Sequence, residues 1–559
     1  MRRTLTTSRP RLYHTDTKEP TIYALSTASG RAAIAVIRAS GPACRQVCIP
    51  HPMIDSLPYA SQIYEGLCPS TAFPKPRQAT LRKLYSPHLP PSPATILDSG
   101  ALVLYFPAPN TVTGEDVLEL HVHGGPAIVR AVLSAIPECA KKPGVRQPKR
   151  KEIRYAEPGE FTRRAFANNR MNLPQIESLG ETLSASTEQQ RKISVRGTTS
   201  SLAVRYEHWR MLLLQARGEL EALIDFSEDQ HFDESPAVLC ASVATQVRAL
   251  QVQMEAHVAN AVRGEMLRNG ISVALLGAPN AGKSSLLNRI VGRDAAIVSE
   301  EAGTTRDVVE IGLDLGGWLV KIGDMAGLRQ AGIVGATVVG AVEQEGIKRA
   351  KQRALESDVL VIVQDATAEM DPEVMATAKQ CVDVGIEVIV ALNKRDQLYT
   401  FDISRMKWEE KIHSALGLPK DRLCFITCKP GIGPTLHPIS DNIPEFLTIL
   451  QDTFKSMTAA LVPDSDPDPS IWQESLGATE RQRLLLSECL SHLSAFLTTV
   501  TEPSADTTRT GEELSGEADE VDIVVAAECL RSAADALARI TGRGDSGDVE
   551  EVLGVVFEK

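Results

Sequence analysis

The chain has 559 residues, of which 43% are hydrophobic and 23% are charged, so whole-chain disorder is excluded and three or four folding units are expected. The net charge of −12 is carried by the segment from Asp464 onwards, where 21 acidic and 7 basic residues sum to −14 and leave about +2 for the rest. Any nucleic-acid contact is therefore expected outside this acidic segment, and composition alone does not indicate one. Ten cysteines without a CxxC pair exclude a disulfide scaffold and argue against a zinc site, and Cys424 and Cys428 are expected to be buried free thiols. No apolar run reaches the roughly 18 residues of a transmembrane helix, so no membrane span is expected.

The N-terminal residues 1–17 are basic and rich in hydroxyl side chains, and no acidic residue precedes Asp16. This composition is typical of a mitochondrial transit peptide and predicts a location in the mitochondrial matrix, although a merely disordered basic N-terminus has the same composition. Residues 18–184 then mix short strand-like segments, such as 33–37 and 117–122, with turns. They are predicted to form an α+β domain.

Residues 185–269 have helical periodicity, and apolar side chains recur there every four residues. These side chains predict one stripe of helix-packing core: Leu250, Met254, Val258, Val262 and Met266. Residues 270–460 alternate strand-like and helix-like segments, which predicts a doubly wound α/β domain, and helical periodicity returns over 461–559. The fold class is therefore multidomain α/β, and the two helical segments that flank the inserted α/β domain are expected to pack together.

The inserted domain opens with a glycine-rich loop that follows the predicted strand 271–276 and precedes a helix. The loop has the pattern GxxxxGKS, in which backbone N–H groups curl around phosphates at a helix N-terminus. Lys283 is expected to reach the β- and γ-phosphates, and the Ser284 hydroxyl to bind Mg²⁺. The predicted phosphate-binding residues are Gly277, Asn280, Ala281, Gly282, Lys283, Ser284 and Ser285.

A second motif is expected to determine which nucleotide base is bound. Asn393, Lys394 and Asp396 form NKxD after a predicted strand, and a carboxylate at Asp396 can accept two hydrogen bonds from the edge of guanine. Adenine offers no such pair of donors. Thr427 and Cys428 occupy the position of the last base-contacting loop. The order and spacing of these motifs predict a GTP-binding domain of the Ras-like type.

Two further segments are expected to sense the γ-phosphate. Asp324 and Gly327 fit DxxG, in which the carboxylate acts on Mg²⁺ through water and the glycine amide contacts the phosphate. Residues 303–307 read GTTRD and are predicted to be a switch loop. Leu328 follows Gly327, where Ras-type enzymes place a water-orienting Gln, and an apolar side chain cannot do that work. No arginine finger is evident, so another group must position water and another positive charge is needed.

Four segments outside the GTP-binding motifs carry a resemblance to a known family. Residues 30–38, 114–121 (GEDVLELH) and 158–166 (PGEFTRRAF) resemble the N-terminal domain of the MnmE (TrmE) family of tRNA modification GTPases, and residues 221–226 (EALIDF) resemble its helical domain. The resemblance covers roughly residues 18–500. It implies a folate-binding, dimerising N-terminal domain, a helical domain and a G domain inserted into the helical domain.

The resemblance also implies a reaction. Family members act with the FAD protein MnmG on carbon 5 of the wobble uridine of certain tRNAs, using a one-carbon unit from 5-formyltetrahydrofolate or a related folate. GTP hydrolysis with Mg²⁺ is activated by K⁺ when two G domains of a homodimer meet. Together with the basic N-terminus, the resemblance indicates a mitochondrial member of the family.

Residue roles follow from the same resemblance. Glu343 matches the family's catalytic glutamate and would orient the attacking water, with Lys283 and Thr305 as its catalytic partners and Thr305 on Mg²⁺. The K⁺ site would consist of Asn280, Thr304 and the backbone of Ser299 and Glu301. The folate site would consist of Arg38, Glu119 and Arg170, since a carboxylate suits the donor edge of a pterin and a guanidinium suits an anionic tail. His121 and His123, which alternate on one strand, are expected to be structural.

The chain departs from the family pattern in three places. Met325 replaces the usual Thr of the DxxG loop, residues 333–339 look like an insertion before Glu343, and the chain ends at Lys559 where the family continues to a short Cys-Ile-Gly-Lys. The last departure bears on the one-carbon chemistry and leaves the expectation of GTP hydrolysis unchanged. Two alternatives stay open at this point: a ribosome-assembly GTPase of the Era or Der type, and a GTP-binding scaffold that transfers nothing.

Overall fold

The structure is a computed structural model, and its description covers a defined set of residues. These residues are 19–44, 62–140, 153–198, 201–226, 236–293, 295–301, 310–322, 350–398, 400–429, 442–463, 469–501 and 522–543. They form two compact units, one up to Leu173 and one from Pro174 onwards. Several predicted features lie outside the described residues: the segment 1–17, the insertion 333–339, Thr304, Thr305, Asp324, Gly327, Leu328 and Glu343.

The first unit is an α+β domain, as predicted. Its strands are β1 (Thr21–Leu25), β2 (Ile34–Ser40), β3 (Thr80–Tyr85), β4 (Ile96–Phe106), β5 (Val117–His123) and β6 (Ile153–Tyr155), and its helices are α1 (Gln62–Leu67), α2 (Pro126–Glu138) and α3 (Glu160–Ala167). The strands form one sheet in the order β3-β4-β5-β2-β1-β6, in which only β1 and β6 pair in parallel. Alternation along β5 buries Leu118, Leu120 and Val122 in a core with α1 and α2.

The family motifs of this unit form a buried ion network. Arg164 is 3% exposed and lies 3.0 Å from both Glu115 and Glu160, while Arg154 lies 2.6 Å from Glu160. The Ser40 hydroxyl donates to Glu115 at 2.7 Å. Buried charges are tolerated only when they are paired and hydrogen-bonded. Through Ser40 and Arg154, these contacts therefore join β2, β6, α3 and the loop before β5.

The second unit contains seven helices outside its α/β part, among the residues described. They are α4 (Leu173–Ser184), α5 (Glu188–Thr198), α6 (Ser201–Phe226), α7 (Pro236–Asn269), α12 (Pro469–Ser475), α13 (Glu480–Thr501) and α14 (Ile523–Thr541). Helices α6, α7, α13 and α14 share one apolar core, which includes Trp209, Met254 and Phe496. The helices before and after the insertion thus pack together, as the sequence predicts.

The predicted stripe on α7 is wrong in its second half. Leu250 and Met254 are buried in the bundle core, but Val262 is 45% exposed and Met266 packs against the α/β core instead. An α-helix turns by about 100° per residue, so a spacing of four advances the side chain by about 40° at each step. Over sixteen residues the stripe therefore leaves the face on which it began.

One described helix, α13, is long and apolar enough to cross a membrane by length and composition. Its side chains Leu486, Cys489, Leu493 and Phe496 lie in the bundle core with less than 1% exposure. A core helix of a bundle meets the same criteria, so this feature is weak evidence for a membrane span.

The inserted domain is a doubly wound α/β domain, as predicted. Its strands are β7 (Ile271–Leu276), β8 (Ala295–Glu301), β9 (Glu310–Leu315), β10 (Trp318–Ile322), β11 (Val359–Asp365), β12 (Glu387–Asn393) and β13 (Leu423–Phe425), and its helices are α8 (Lys283–Arg293), α9 (Pro372–Val384), α10 (Phe401–Leu416) and α11 (Ile443–Met457). The order is β13-β12-β11-β7-β10-β9-β8; the first five run parallel, and β9 and β8 follow as an antiparallel extension. The carboxyl ends of β7, β11 and β12 therefore meet at one edge of the sheet, where open α/β sheets bind ligands.

Side chains of α7 fix the return of the chain from this domain to the bundle. The fully buried Asn260 donates to the Leu461 carbonyl at 2.9 Å and accepts from the Leu461 amide at 2.6 Å. Arg263 donates to the Ala459 carbonyl at 2.5 Å. A Cβ atom at Gly264 would lie 1.9 Å from the Leu476 carbonyl oxygen, so the chain there approaches α7 closely enough to require glycine.

Candidate guanine nucleotide site

The glycine-rich loop leaves β7 and enters α8 at the ligand-binding edge of the sheet. A Cβ atom at Gly277 would lie 2.1 Å from the Val363 carbonyl oxygen, so only glycine fits between the loop and β11. Asn280 and Gly282 have φ of +63° and +108°. Asparagine tolerates the left-handed region better than most residues, which suits position 280 to this tight turn. Ser284 and Ser285 follow in the first turn of α8.

Lys283 folds back over the loop. Its Nζ donates to the Gly277 carbonyl at 2.5 Å and to the Ala278 carbonyl at 3.0 Å, and burial lowers the pKa of this amine. No carboxylate pairs with it among the described residues. An ammonium group held by carbonyls alone at a helix N-terminus fits a phosphate group well.

Asn393, the last residue of β12, joins three segments of the site. Its Nδ2 donates to the Ala281 carbonyl at 2.9 Å, and its Oδ1 accepts from the Cys428 amide at 3.1 Å. A Cβ atom at Gly282 would lie 2.0 Å from that Nδ2, so the glycine leaves room for the amide. One buried side chain thus connects the phosphate loop to the base motif and to the last base-contacting loop.

The base end of the site contains two polar side chains, Asp396 and Thr427, for which the described residues provide no hydrogen-bond partner. Asp396 is 9% exposed, and within the part of the chain that the structure describes no group donates to its carboxylate. Thr427 is 1% exposed, and its Oγ1 has no hydrogen-bond partner among the residues that the structure describes. The Arg395 amide donates to the Ile426 carbonyl at 3.2 Å, which brings the two segments together. Because an unpaired buried polar group is costly, this end fits a ligand with two donors, such as the N1–H and N2–H₂ edge of guanine.

The structure leaves the predicted K⁺ and Mg²⁺ sites only partly described. Asn280 is exposed on the phosphate loop, and the backbones of Ser299 and Glu301 lie on β8, opposite Gly312 and Glu310 of β9. Thr304 and Thr305 lie outside the described residues, as do Asp324, Gly327 and Glu343. The roles of these residues stay predictions.

The predicted folate residues occupy two places in the first unit. Arg38 and Glu119 are directly opposite on β2 and β5, and Arg38 Nε donates to Glu119 Oε1 at 2.9 Å. Arg170 instead donates to the Thr111 carbonyl at 3.0 Å. His121 lies 3.3 Å from Glu119, and His123 pairs at 2.8 Å with the buried Asp98 of β4, as a structural histidine does.

The cysteine prediction is confirmed at both positions. Cys424 and Cys428 are buried thiols that form no disulfide among the described residues, and burial raises the pKa of Cys424 to about 12. Such a thiol is inert at neutral pH and serves as a small apolar side chain.

One residue at this edge of the sheet, Asp365, was not predicted from the sequence. Asp365 ends β11 directly opposite Asn393, and its Oδ2 lies 2.5 Å from the Lys394 ammonium. The sequence does contain a signal for Asp365. The aliphatic run 359–363 is followed two positions later by this carboxylate, at the predicted ligand-binding edge of the sheet.

Comparison with known proteins identifies the family. Residues 21–170 match the family model described as the GTP-binding protein TrmE N-terminus, and residues 173–559 match the model of the MnmE helical domain. A tRNA modification GTPase MnmE of Paramagnetospirillum magneticum is 36% identical over 539 residues, which cover 96% of this chain and 98% of that protein. The chain belongs to the MnmE family of tRNA modification GTPases.

Two mitochondrial members of the MnmE family are about equally similar. The human protein named 5-taurinomethyluridine-[tRNA] synthase subunit GTPB3, mitochondrial, is 35% identical over 550 residues, which cover 96% of this chain and 92% of that protein. The Schizosaccharomyces pombe protein named tRNA modification GTPase mss1, mitochondrial, is 34% identical over 546 residues, covering 97% and 94%. The sequence identities to the bacterial and the mitochondrial members are so similar that they do not indicate which of the two groups this chain belongs to. The ribosome-assembly alternative is set aside, because the chain matches tRNA modification GTPases over nearly its whole length.

The position of the Asp396 carboxylate, to which no described group donates, leads to a prediction about base selectivity. Replacing Asp396→Asn exchanges one acceptor for a donor, which complements the N1–H and O2 of xanthine instead of guanine. We expect the affinity for GDP to fall by at least about tenfold and the affinity for xanthosine diphosphate to rise, since a hydrogen bond to a charged group contributes roughly 1.5–3 kcal/mol. Fluorescent-nucleotide titration measures both.

Asp402→Asn is the matched control for this experiment, because Asp402 is an exposed carboxylate in the first turn of α10. Its nucleotide affinities should equal those of the wild type. An Asp396→Asn protein that still prefers GDP as strongly as the wild type would contradict the assignment of Asp396 to the guanine edge.

Proposed function

We propose that this GTPase works in mitochondria, as a homodimer with an MnmG-type FAD protein, and modifies carbon 5 of the wobble uridine in mitochondrial tRNAs with a folate one-carbon unit. The observation that carries the proposal is that one chain matches both family models and also contains an assembled guanine nucleotide site. The basic composition of residues 1–17 and the names of two mitochondrial relatives support the location.

The hydrolytic part of the proposal follows from the site. The loop amides and Lys283 would hold the phosphates, and Asn393, Lys394, Asp396, Thr427 and Cys428 would hold the base. Bound Mg²⁺ and K⁺ would neutralise charge on the phosphates; Ser284 and Thr305 would hold the first, and Asn280 with Thr304 and the backbone of Ser299 and Glu301 the second. Asp324 and Gly327 would contact the γ-phosphate end.

Potassium dependence follows from the lack of an arginine finger in the sequence and from the exposed Asn280 of the phosphate loop. An arginine finger contributes about 10³–10⁵ to the rate in other GTPases, so a cation in its place should matter comparably. We expect GTP turnover to rise steeply when Na⁺ is replaced by K⁺ at equal ionic strength, as measured by phosphate release. Equal rates in the two salts would rule out a catalytic K⁺.

Glu343 is proposed to orient the attacking water, because Leu328 cannot do so. It has no proposed contact with the ground-state nucleotide, so Glu343→Ala should leave GTP affinity nearly unchanged and lower kcat. The expected loss is about 10²–10⁴-fold, the range of a positioned acid–base or water-orienting group. Steady-state turnover in K⁺ and nucleotide titration separate the two effects.

Glu345→Ala is the control for Glu343→Ala and should retain its kcat. If Glu345→Ala is the inactive variant, the alignment across residues 333–339 is shifted by two positions. If both variants keep the wild-type kcat, a different group positions the water.

The folate part of the proposal rests on the Arg38–Glu119 pair. Glu119 is 15% exposed and Arg38 is 28% exposed, so both charged groups are partly accessible from the open face of the sheet. One Glu119 oxygen accepts from Arg38 while the other faces His121, and a carboxylate with two oxygens can accept further hydrogen bonds from a pterin edge. Arg170 would contact the anionic tail.

Mass analysis of wobble uridines tests the proposed reaction. In cells of the source organism that lack the gene, mitochondrial tRNAs should lose the carbon-5 modification while cytosolic tRNAs keep theirs. The wild-type gene should restore the modification, and Lys283→Ala should not. Glu119→Gln should also fail to restore it although the purified variant hydrolyses GTP at the wild-type rate, which shows that the variant is folded. Unchanged mitochondrial wobble uridines in the deletion strain would refute the proposal.

A further inference from the structure

Lys394 of the base motif is held by a carboxylate that lies 29 residues earlier in the chain. Its Nζ is 2.5 Å from Asp365 Oδ2, and the side chains of Lys394 and Asp365 are 32% and 18% exposed. Strand pairing explains the encounter, because Asp365 and Asn393 are directly opposite at the ends of the parallel strands β11 and β12. The carboxylate therefore lies beside the residue that follows Asn393.

The Asp365 carboxylate is itself fixed in orientation. Its Oδ1 accepts from the Thr367 amide at 2.9 Å and from the Thr367 hydroxyl at 2.7 Å, so Oδ2 remains for Lys394. Burial raises the pKa of Asp365, but hydrogen bonds from Lys394 and Thr367 outweigh it and leave the pKa below its usual value. The group is therefore ionised at neutral pH, where Lys394 is a cation.

The backbone at Lys394 is equally constrained. Its φ is +65°, in the left-handed region that non-glycine residues seldom adopt. Hydrogen bonds on both sides hold it there: the Ala366 amide donates to the Asn393 carbonyl at 2.9 Å, and the Arg395 amide donates to the Ile426 carbonyl at 3.2 Å. The neighbouring cation, Arg395, lies over the ring of Phe401 at 4.3 Å and is thus engaged elsewhere.

This arrangement bears on Asp396, whose carboxylate has no protein donor among the described residues although a lysine lies only two positions before it. A flexible ammonium so near a buried carboxylate would pair with it and compete with the two donors of guanine. Asp365 offers that ammonium a stronger and better-oriented partner, since its free oxygen is already aligned by Thr367.

We propose that Asp365 is a positioning residue for guanine recognition, which keeps the Asp396 carboxylate available to the base by holding the Lys394 ammonium. The inference rests on the proposed nucleotide site and adds a residue to it. Asp365 makes no contact with the base in this account and acts through Lys394. By fixing a long side chain before the nucleotide arrives, it also lowers the conformational entropy that binding must otherwise remove.

The test is Asp365→Asn, which keeps the size of the side chain and an oxygen acceptor for Thr367 but removes the charge that holds Lys394. We expect the Kd for fluorescent GDP to rise about 3- to 30-fold. This range corresponds to the loss of one charge-assisted hydrogen bond, reduced because the Lys394–Asp365 pair is partly exposed to solvent. Asp371→Asn is the matched control, because Asp371 caps α9 by accepting from the Glu373 amide at 2.8 Å and the variant undergoes the same change of charge. Its Kd should not change.

A double-mutant cycle separates positioning from folding. In a Lys394→Met background there is no ammonium to hold, so adding Asp365→Asn should leave the Kd for GDP unchanged, and thermal unfolding should be nearly the same with and without it. An unchanged Kd for Asp365→Asn alone would overturn the proposal, and so would an equal loss of affinity with and without Lys394. If the wild type itself shows no preference for GDP over ADP, the proposed guanine nucleotide site is wrong. This result differs from one in which the wild type prefers GDP but Asp365→Asn has no effect, which would contradict only the role of Asp365.

Discussion

The nucleotide site depends on the side-chain amide of Asn393. This amide uses its donor on the Ala281 carbonyl and its acceptor on the Cys428 amide, and Asn393 is 4% exposed. Removing it would leave a buried carbonyl and a buried amide without partners, each at a cost of about 1–3 kcal/mol. Position 282 requires glycine, because a Cβ atom there would clash with the same Asn393 amide. The phosphate loop, the base motif and the last loop are therefore parts of one assembly, although they are far apart in sequence.

A second set of hydrogen bonds attaches this assembly to the helical bundle. Asn260 and Arg263 of α7 hold the backbone at Leu461 and Ala459, where the chain returns from the α/β domain. On the other side of the domain, the Gln189 amide of α5 donates to the Gly317 carbonyl at 3.0 Å, in the turn between β9 and β10. The inserted domain is thus anchored to the helices at its exit and at the turn that leads into β10, the strand just before the DxxG motif.

Local motifs could be predicted from the sequence because their chemistry depends on neighbours in the chain. The phosphate loop needs glycines at 277 and 282 and a lysine at 283, and these positions lie within one segment of seven residues. The inserted topology followed from a change of periodicity on either side of residues 270–460. The Lys394–Asp365 pair could not be predicted, since it depends on the register between two parallel strands. The α7 stripe failed because a four-residue spacing drifts around a helix, and the roles of Glu115, Glu160 and Arg164 as an ion network required their burial to be known.

Amide hydrogen exchange of the nucleotide-free protein tests most directly whether Asn393 assembles the site. With Asn393→Ala, we expect faster exchange both in the phosphate loop, residues 277–284, and in the last loop, residues 426–428, while exchange in α13 and α14 of the bundle stays as in the wild type. Exchange that remains at the wild-type rate in either loop would contradict the account, because that loop would then be held in place without Asn393.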